Sequence, residues 1–175
     1  MALELGEPSV RVDSVVEAIV ILIPAMVANA TPVIVKGRRP LDGGALFLDG
    51  KRLLGDGKTW EGTAAAIASG AVVSVTLSIA LGAFALAYIM TLGVIGAVAG
   101  DIVASFLKRR LGIPRGQPAP ILDQLDFYAG AVIAMSLAGV DWSLTAIIYS
   151  AIIVSLLHVA SNYIAFRLGL KSVPW

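Results

Sequence analysis

Four stretches of this chain carry no charged residue: Ala18 to Val35, Gly62 to Gly100, Phe127 to Val140 and Trp142 to Phe166. A helix needs about 20 largely apolar residues to cross the hydrocarbon core of a bilayer. The first stretch reaches that length with its flanks, and the last does so by itself. The second is about twice as long as one span requires, so it holds two spans joined by a tight turn near Gly82. The third is short and becomes a thin or tilted span with its flanks. The pattern predicts an all-α integral membrane protein, one membrane domain over 1–175. Its bundle of about five transmembrane helices falls at about 13–35, 63–82, 84–107, 127–140 and 143–168. Two loops, 36–62 and 108–126, hold nearly all the polar residues, and the connections on the other side are very short.

Composition agrees with a membrane chain. Apolar residues make up 58% and charged residues 14%, against roughly a quarter charged in soluble domains. A net charge of +1 excludes a generally basic, nucleic-acid-binding protein. The placement of charge is more informative. With five helices, Lys36, Arg38, Arg39, Lys51, Arg52, Lys58, Lys108, Arg109, Arg110, Arg115, Arg167 and Lys171 share one side. The other side has Arg11 with Glu4, Glu7, Asp13, Glu17 and Asp141. Lys and Arg stay cytoplasmic during insertion. The N-terminus is therefore expected outside the cell membrane, with the C-terminus and both polar loops in the cytoplasm. Four or six helices would spoil this segregation, which supports the weak fourth span. Ala28-Asn29-Ala30 has the form of a signal-peptidase site, but the acidic residues before the apolar stretch and the basic ones after it argue for a retained helix. The absence of cysteine excludes disulfides and thiol chemistry.

Small residues recur four apart at Ala66 and Gly70, Gly93 and Ala97, and Gly96 and Gly100. Such pairs let helices approach closely in lipid, either within one bundle or across a homodimer. Trp60, Tyr128, Trp142 and Trp175 stand near span ends, where aromatic anchors lie.

The candidate chemistry lies in the polar loops and the helix ends beside them. Asp101, Ser105 and Lys108, spaced by four and three, share one face of the third helix. A carboxylate as deep as Asp101 must meet a polar cavity, a cation or a partner helix, and marks a candidate site. Asp123 and Asp126 are three apart, so they share a face where the fourth helix begins. Two carboxylates beside a phosphate site suit Mg²⁺; acidic groups also simply favour a helix start. Gly55-Asp56-Gly57-Lys58-Thr59 has the glycines and lysine of a phosphate cradle, without the spacing of a Walker A loop. Arg38 and Arg39 are placed to fork onto phosphate oxygens or merely to obey the topology rule. Asn29, near the end of the first helix, reads as a contact to a base or ribose, or as a cap. His158, with Asn162 and Tyr163, reads as lining of the site or as ordinary bundle hydrogen bonding.

Ser105-x-x-Lys108-Arg109, then a Gly/Pro-rich gap, then Asp123-x-x-Asp126 resembles the signature of the membrane CDP-diacylglycerol synthases. Arg39-Pro40-Leu41-Asp42-Gly43-Gly44 and Gly55 to Gly62 resemble the first loop of their archaeal branch, the CDP-archaeol synthases. The resemblance covers both loops and essentially the whole chain. The His-Gly-Gly element and the Asp-Arg pair of the bacterial and eukaryotic pattern are missing: the segment reads Ala119-Pro120-Ile121-Leu122-Asp123-Gln124-Leu125-Asp126. No role of those residues carries over.

The resemblance implies transfer of CMP from CTP to an isoprenoid ether-lipid phosphate, with release of pyrophosphate and dependence on Mg²⁺. On that reading Asp123 and Asp126 hold the metal with Asp101 beside them, and Lys108 works with the two carboxylates in catalysis. Asn29, Arg38, Arg39, Asp42, Lys58 and Thr59 take the nucleotide. Ser105, Lys108 and Arg109 take the lipid phosphate. Two rivals remain at this stage, a CTP-dependent polyprenol kinase and a non-enzymatic small membrane transporter or scaffold. The Asp-Gly-x-x-Ala-Arg pattern of the CDP-alcohol phosphotransferases is not met by Asp42-Gly43-Gly44-Ala45-Leu46.

Overall fold

Ser14 starts the first long helix. Its hydroxyl accepts a hydrogen bond from Glu17 N (3.2 Å) and its own N–H donates to Glu17 Oε2 (3.0 Å), a reciprocal pair that satisfies two helix-end donors. The computed structural model describes residues 10–174. Strand β1 is Val10–Val12 and helix α1 is Val15–Ala30. The chain breaks at Thr31, before a proline that has no N–H to give. Thr31 stays right-handed and donates its hydroxyl to Val27 O (2.8 Å), so a short α2, Pro32–Val35, carries on to Lys36 at φ +46°. Helix α3 is Trp60–Ala80, α4 is Ala85–Arg110, α5 is Leu122–Leu137, β2 is Val140–Trp142 and α6 is Leu144–Arg167.

The five long helices agree with the five expected from sequence. Four stretches are long and apolar enough to cross a bilayer unaided: Val15–Val35, α3, α4 and α6. Helix α5, with 16 residues, falls short of that length. Two of the shifted boundaries bear on the polar residues. The third helix was expected to end at 107 but runs to Arg110, so Lys108, Arg109 and Arg110 occupy its last turn, where cations suit the helix dipole. The fourth was expected at 127–140 but begins at Leu122. Asp123 and Asp126 therefore sit inside its first turns, on the helix start that their spacing pointed to. Ile121 precedes it at φ +71°, a left-handed conformation that is strained for a β-branched residue.

The short parallel ribbon of β1 and β2, with Val10 opposite Val140 and Val12 opposite Trp142, was not expected. Val12 and Val140 are buried with Ile89, Met90 and Met135. Arg11 lies opposite Asp141 at 4.0 Å. This ribbon closes the end of the bundle with short connections, and both polar loops emerge at the other end. Glu4, Glu7 and Trp175 lie outside the described residues.

The small-residue pairs are spent within the chain. A Cβ on Gly96 would fall 2.3 Å from Gly130 O, and one on Gly100 would fall 2.2 Å from Asp126 O. The backbones of α4 and α5 thus touch, as close crossings in lipid require. Gly70 instead makes room for the side chains of Val94 and Ala28. These pairs give no argument for a homodimer. The outward faces carry large exposed apolar side chains, among them Val72, Tyr88, Ile133, Ile152 and Leu156, a belt of the kind that acyl chains cover.

Candidate active site

The first polar loop is organised by Asp42. One carboxylate oxygen accepts from Arg52 Nη2 (2.7 Å) and Gly44 N (3.1 Å). The other accepts from Leu54 N (3.0 Å), Gly55 N (2.9 Å) and Arg52 Nε (3.3 Å). Burial alone would raise its pKa, but the Arg52 and backbone hydrogen bonds outweigh that and hold the carboxyl well below the ordinary range. Both oxygens face the loop's own donors. The sequence reading made Asp42 a nucleotide ligand; the geometry makes it the post around which the Gly55 to Lys58 turn is built.

A hairpin over Ala45 to Leu53 reaches across to α4. Phe47 meets Phe106 edge-on with centroids 5.2 Å apart, and the Arg110 guanidinium lies over both rings at 4.7 and 4.9 Å. Arg110 also donates to Asp49 Oδ1 (2.7 Å) and to Arg52 O (2.6 Å). Sequence reasoning counted Arg110 only as a topology charge. Its clamp depends on residues some sixty positions away, which no local pattern discloses.

With the loop fixed, the charged side chains meet. Pro40 pairs with Thr59 and Leu41 N donates to Lys58 O (2.7 Å), which turns Lys58 inward to an ion pair with Asp101 of α4. Lys108, two turns along the same helix, forms an ion pair with Asp123 of α5. Asp123 Oδ2 also accepts from Ala119 N (2.9 Å), tying the second loop to the helix it precedes. Asp126 lies beside them. It feels the charges of Asp101, Lys58 and Asp123, and its Oδ1 accepts from Phe127 N (2.6 Å). Among the described residues it has no ion-pair partner. The two loops and the α4–α5 pair therefore assemble one cluster of three carboxylates and two lysines.

A cavity opens beside the cluster, between α1, α3 and α4, and is bordered by Asn29, Lys58, Thr59 and Asp101. Thr59 is buried, and its oxygen accepts from Gly62 N (3.1 Å), capping α3. Ser105 is half-buried on α4 between Asp101 and Lys108. Arg109 lies beside the phosphate-cradle sequence: a Cβ on Gly55 would fall 3.9 Å from its Cδ. Its buried Nε has no hydrogen-bond partner. Arg115 is the counterpart on the second loop, with Nε 3.7 Å from where a Gly57 Cβ would stand. It was missed as a site residue because the Gly/Pro-rich loop around it gives no periodicity to aim it. Arg39 is directed elsewhere, to Glu61 Oε1 at 2.9 Å, and Arg38 is exposed. Neither joins the carboxylate cluster.

On the far wall, Asn29 Nδ2 meets His158 Nδ1 at 3.3 Å, and Asn162 Nδ2 meets His158 Nε2 at 2.8 Å. Lys171 Nζ, from the turn after α6, donates to Asn162 Oδ1 (2.9 Å). Phe127 stacks on the imidazole with centroids 5.7 Å apart. Of the open readings of His158, the structure gives a hydrogen-bonded histidine that touches the wall of the cavity through Asn29.

Among the described residues no three His, Asp or Glu side chains form a ready metal cage. The donor set still fits Mg²⁺, which binds through one or two carboxylates and completes its shell with water and substrate phosphates. Two of the three carboxylates are balanced by lysine, and Asp126 is the one left without a cation.

Fold and site together define a polytopic helical membrane protein with a charged pocket at one end of its bundle. The family model described as CarS-like, CDP-archaeol synthase, matches residues 11–175. A CDP-archaeol synthase of Aeropyrum pernix is 51% identical over 175 residues, all of both chains. One of Hyperthermus butylicus is 46% identical over 91% of this chain and 95% of its own. A solved structure described as giving structural insight into an intramembrane enzyme for archaeal membrane lipids biosynthesis superposes with a TM-score of 0.84. It is 50% identical, covering 87% of this chain and 96% of that one. The chain belongs to the CDP-archaeol synthase family and is accordingly an enzyme of the cytidylyltransferase kind.

Proposed function

We propose that this enzyme transfers CMP from CTP to unsaturated archaetidic acid, a glycerol phosphate bearing two geranylgeranyl ethers, yielding CDP-archaeol and pyrophosphate. A phosphate oxygen of the lipid attacks the α-phosphorus of CTP in line. The new P–O bond forms as the bond from the α-phosphorus to the bridging oxygen breaks, and the electron pair leaves with pyrophosphate. The lipid phosphate is already ionised, so no strong general base is needed. That accords with a single histidine engaged in amide hydrogen bonds.

Phosphoryl-type transfer is governed by positioning and charge stabilisation. Both substrates are anions, and the lysines and arginines at this pocket offset their repulsion. Lys58, Arg109 and Arg115 flank the Gly55 to Lys58 turn and suit the triphosphate. Lys108, with Ser105 one turn away on α4, suits the lipid phosphate. Asp126, with Asp123 and Asp101, would hold Mg²⁺, which supplies charge neutralisation at the reacting phosphates. An apolar groove between α5 and α6 begins at Gln124, next to Asp123, and suits an isoprenoid chain. The site works from the cytoplasmic side of the cell membrane, with the N-terminus outside, because the basic residues gather at the loop end.

The observation that carries this reading is the Lys58–Asp101 pair at the border of the cavity, with Asp126 close enough to feel the charges of Asp101, Lys58 and Asp123, and Asp123 in turn paired with Lys108. The test uses purified protein, Mg²⁺ and CTP labelled at either the α or the γ position. Appearance of the α label in lipid, with pyrophosphate released, supports the transferase; the γ label in lipid would instead make it a kinase. Asp126→Asn should lower turnover by about a hundredfold or more at saturating Mg²⁺. Wild-type turnover would remove Asp126 from the metal site.

A further inference from the structure

His158 is the only histidine in the chain, and both of its ring nitrogens face an amide. Taken literally, Asn29 Nδ2 and Asn162 Nδ2 would both donate to it, at 3.3 and 2.8 Å. A neutral imidazole has one acceptor nitrogen and one N–H, so one of the two amides must present its oxygen instead. The oxygen and nitrogen of an amide are told apart only by their partners. Lys171 decides the matter. An ammonium only donates, and Nζ lies 2.9 Å from Asn162 Oδ1. The Asn162 oxygen is thereby held toward Lys171 and its NH₂ toward Nε2. Nε2 accepts, the ring proton sits on Nδ1, and Nδ1–H donates to Asn29. The Asn29 carbonyl must face the histidine, which turns its NH₂ to the cavity bordered by Lys58, Thr59 and Asp101.

We infer that Lys171, Asn162 and His158 form a relay of positioning residues that aims the Asn29 NH₂ into the nucleotide cavity as a donor for the acceptor edge of cytosine. The inference rests on the CTP reading above. Cytosine presents two adjacent acceptors, O2 and N3, whereas N3 of uracil carries a proton. A fixed amide NH₂ favours the first and meets a second donor in the other. An amide free to rotate by half a turn would lose this preference, because its oxygen can accept from the N–H of uracil. Lys171 is delivered by the turn after α6, where Gly169 adopts φ +71° and Leu170 N bonds back to Ala165 O (2.9 Å). The turn after α6 is thus tied to the wall of the base site.

The unique histidine makes the relay directly observable. Protein labelled with ¹⁵N-histidine and made without a histidine tag gives a single imidazole spectrum. The wild type should show a protonated Nδ1 and a bare Nε2. Lys171→Met should mix the tautomers and lower the ratio of CTP to UTP affinity, measured by titration, roughly three- to tenfold, the worth of one neutral hydrogen bond. Lys171→Arg, which still donates, should keep both properties. A wild-type ring protonated at Nε2 overturns the inference without recourse to any variant. So does an unchanged CTP to UTP ratio in Lys171→Met. A wild type that has the assigned tautomer and prefers CTP, yet moves no CMP into lipid, would overturn the transferase reading alone.

Discussion

Gly100→Ala adds one methyl group, no charge, and no contact with substrate, yet it should nearly abolish turnover. The new Cβ would fall 2.2 Å from the carbonyl oxygen of Asp126, and ordinary contact begins at 3.4 Å. The obstacle is backbone, so no side-chain rotation relieves it; α5 must withdraw by about 1 Å. That segment carries Asp126 and, one turn earlier, Asp123. A displacement of about 1 Å at reacting groups costs on the order of a hundredfold in rate. The same overpacking should cost about 1–3 kcal/mol of stability. Gly93→Ala provides the control. Its Cβ would meet Met135 Cε at 2.1 Å and Cγ at 3.0 Å, atoms of a buried but flexible side chain that can repack while the α5 backbone stays in place. Initial rates of CMP transfer in detergent, together with thermal melting of each variant, separate the two effects. A folded Gly100→Ala enzyme within twofold of wild type would refute the claim that α4–α5 contact sets the carboxylate geometry.

Lys58→Met leaves Asp101 without its cation, and breaking such a pair costs about 3–5 kcal/mol when the groups are buried. Because both side chains keep roughly a quarter of their exposure, the melting change should fall at or below the lower figure. Adding Asp101→Asn should restore melting without restoring activity; a double variant as unstable as Lys58→Met would argue against the pairing. Asp42→Asn should loosen the first loop, raise KM for CTP several-fold and expose the loop to limited proteolysis, with the helices left intact by circular dichroism. The same carboxylate sets an acid limit. Its folded pKa lies below its unfolded one, so its contribution is complete above about pH 4 and fades only as pH falls toward the folded value. Proteolysis of the loop should therefore be flat through neutral pH and rise only in strong acid.

The helices could be read from the sequence because lipid imposes long uncharged runs, and Gly62 to Gly100 divides at Gly82 as its doubled length requires. The start of α5 was misread for the same reason. Charge marks the end of a span, which puts the boundary at Phe127, whereas α5 begins at Leu122 and carries Asp123 and Asp126 into the polar cluster within its first turns. The β1–β2 ribbon left no trace, since three residues at each of two distant places are too few for any alternation to register. In the site, the face shared by Asp101, Ser105 and Lys108 followed from helix geometry. The partners did not: Lys58 finds Asp101, Arg110 finds Asp49, and Asn29 finds His158 across gaps that only the tertiary fold closes. Asp42 shows the limit most clearly, because its place in the loop motif was visible while the direction of its carboxylate was not.

The brevity of α5 bears on where lipid and water meet. Sixteen residues rise about 24 Å, less than the roughly 30 Å of hydrocarbon that its neighbours span. Around this helix the leaflet must dip or the aqueous phase must descend. Asp123 and Asp126 then stand at the depth of glycerol headgroups. In the proposed reaction, a prenylated substrate would present its phosphate there while its tails stay dissolved in the bilayer, and the soluble nucleotide would make the rest of the journey.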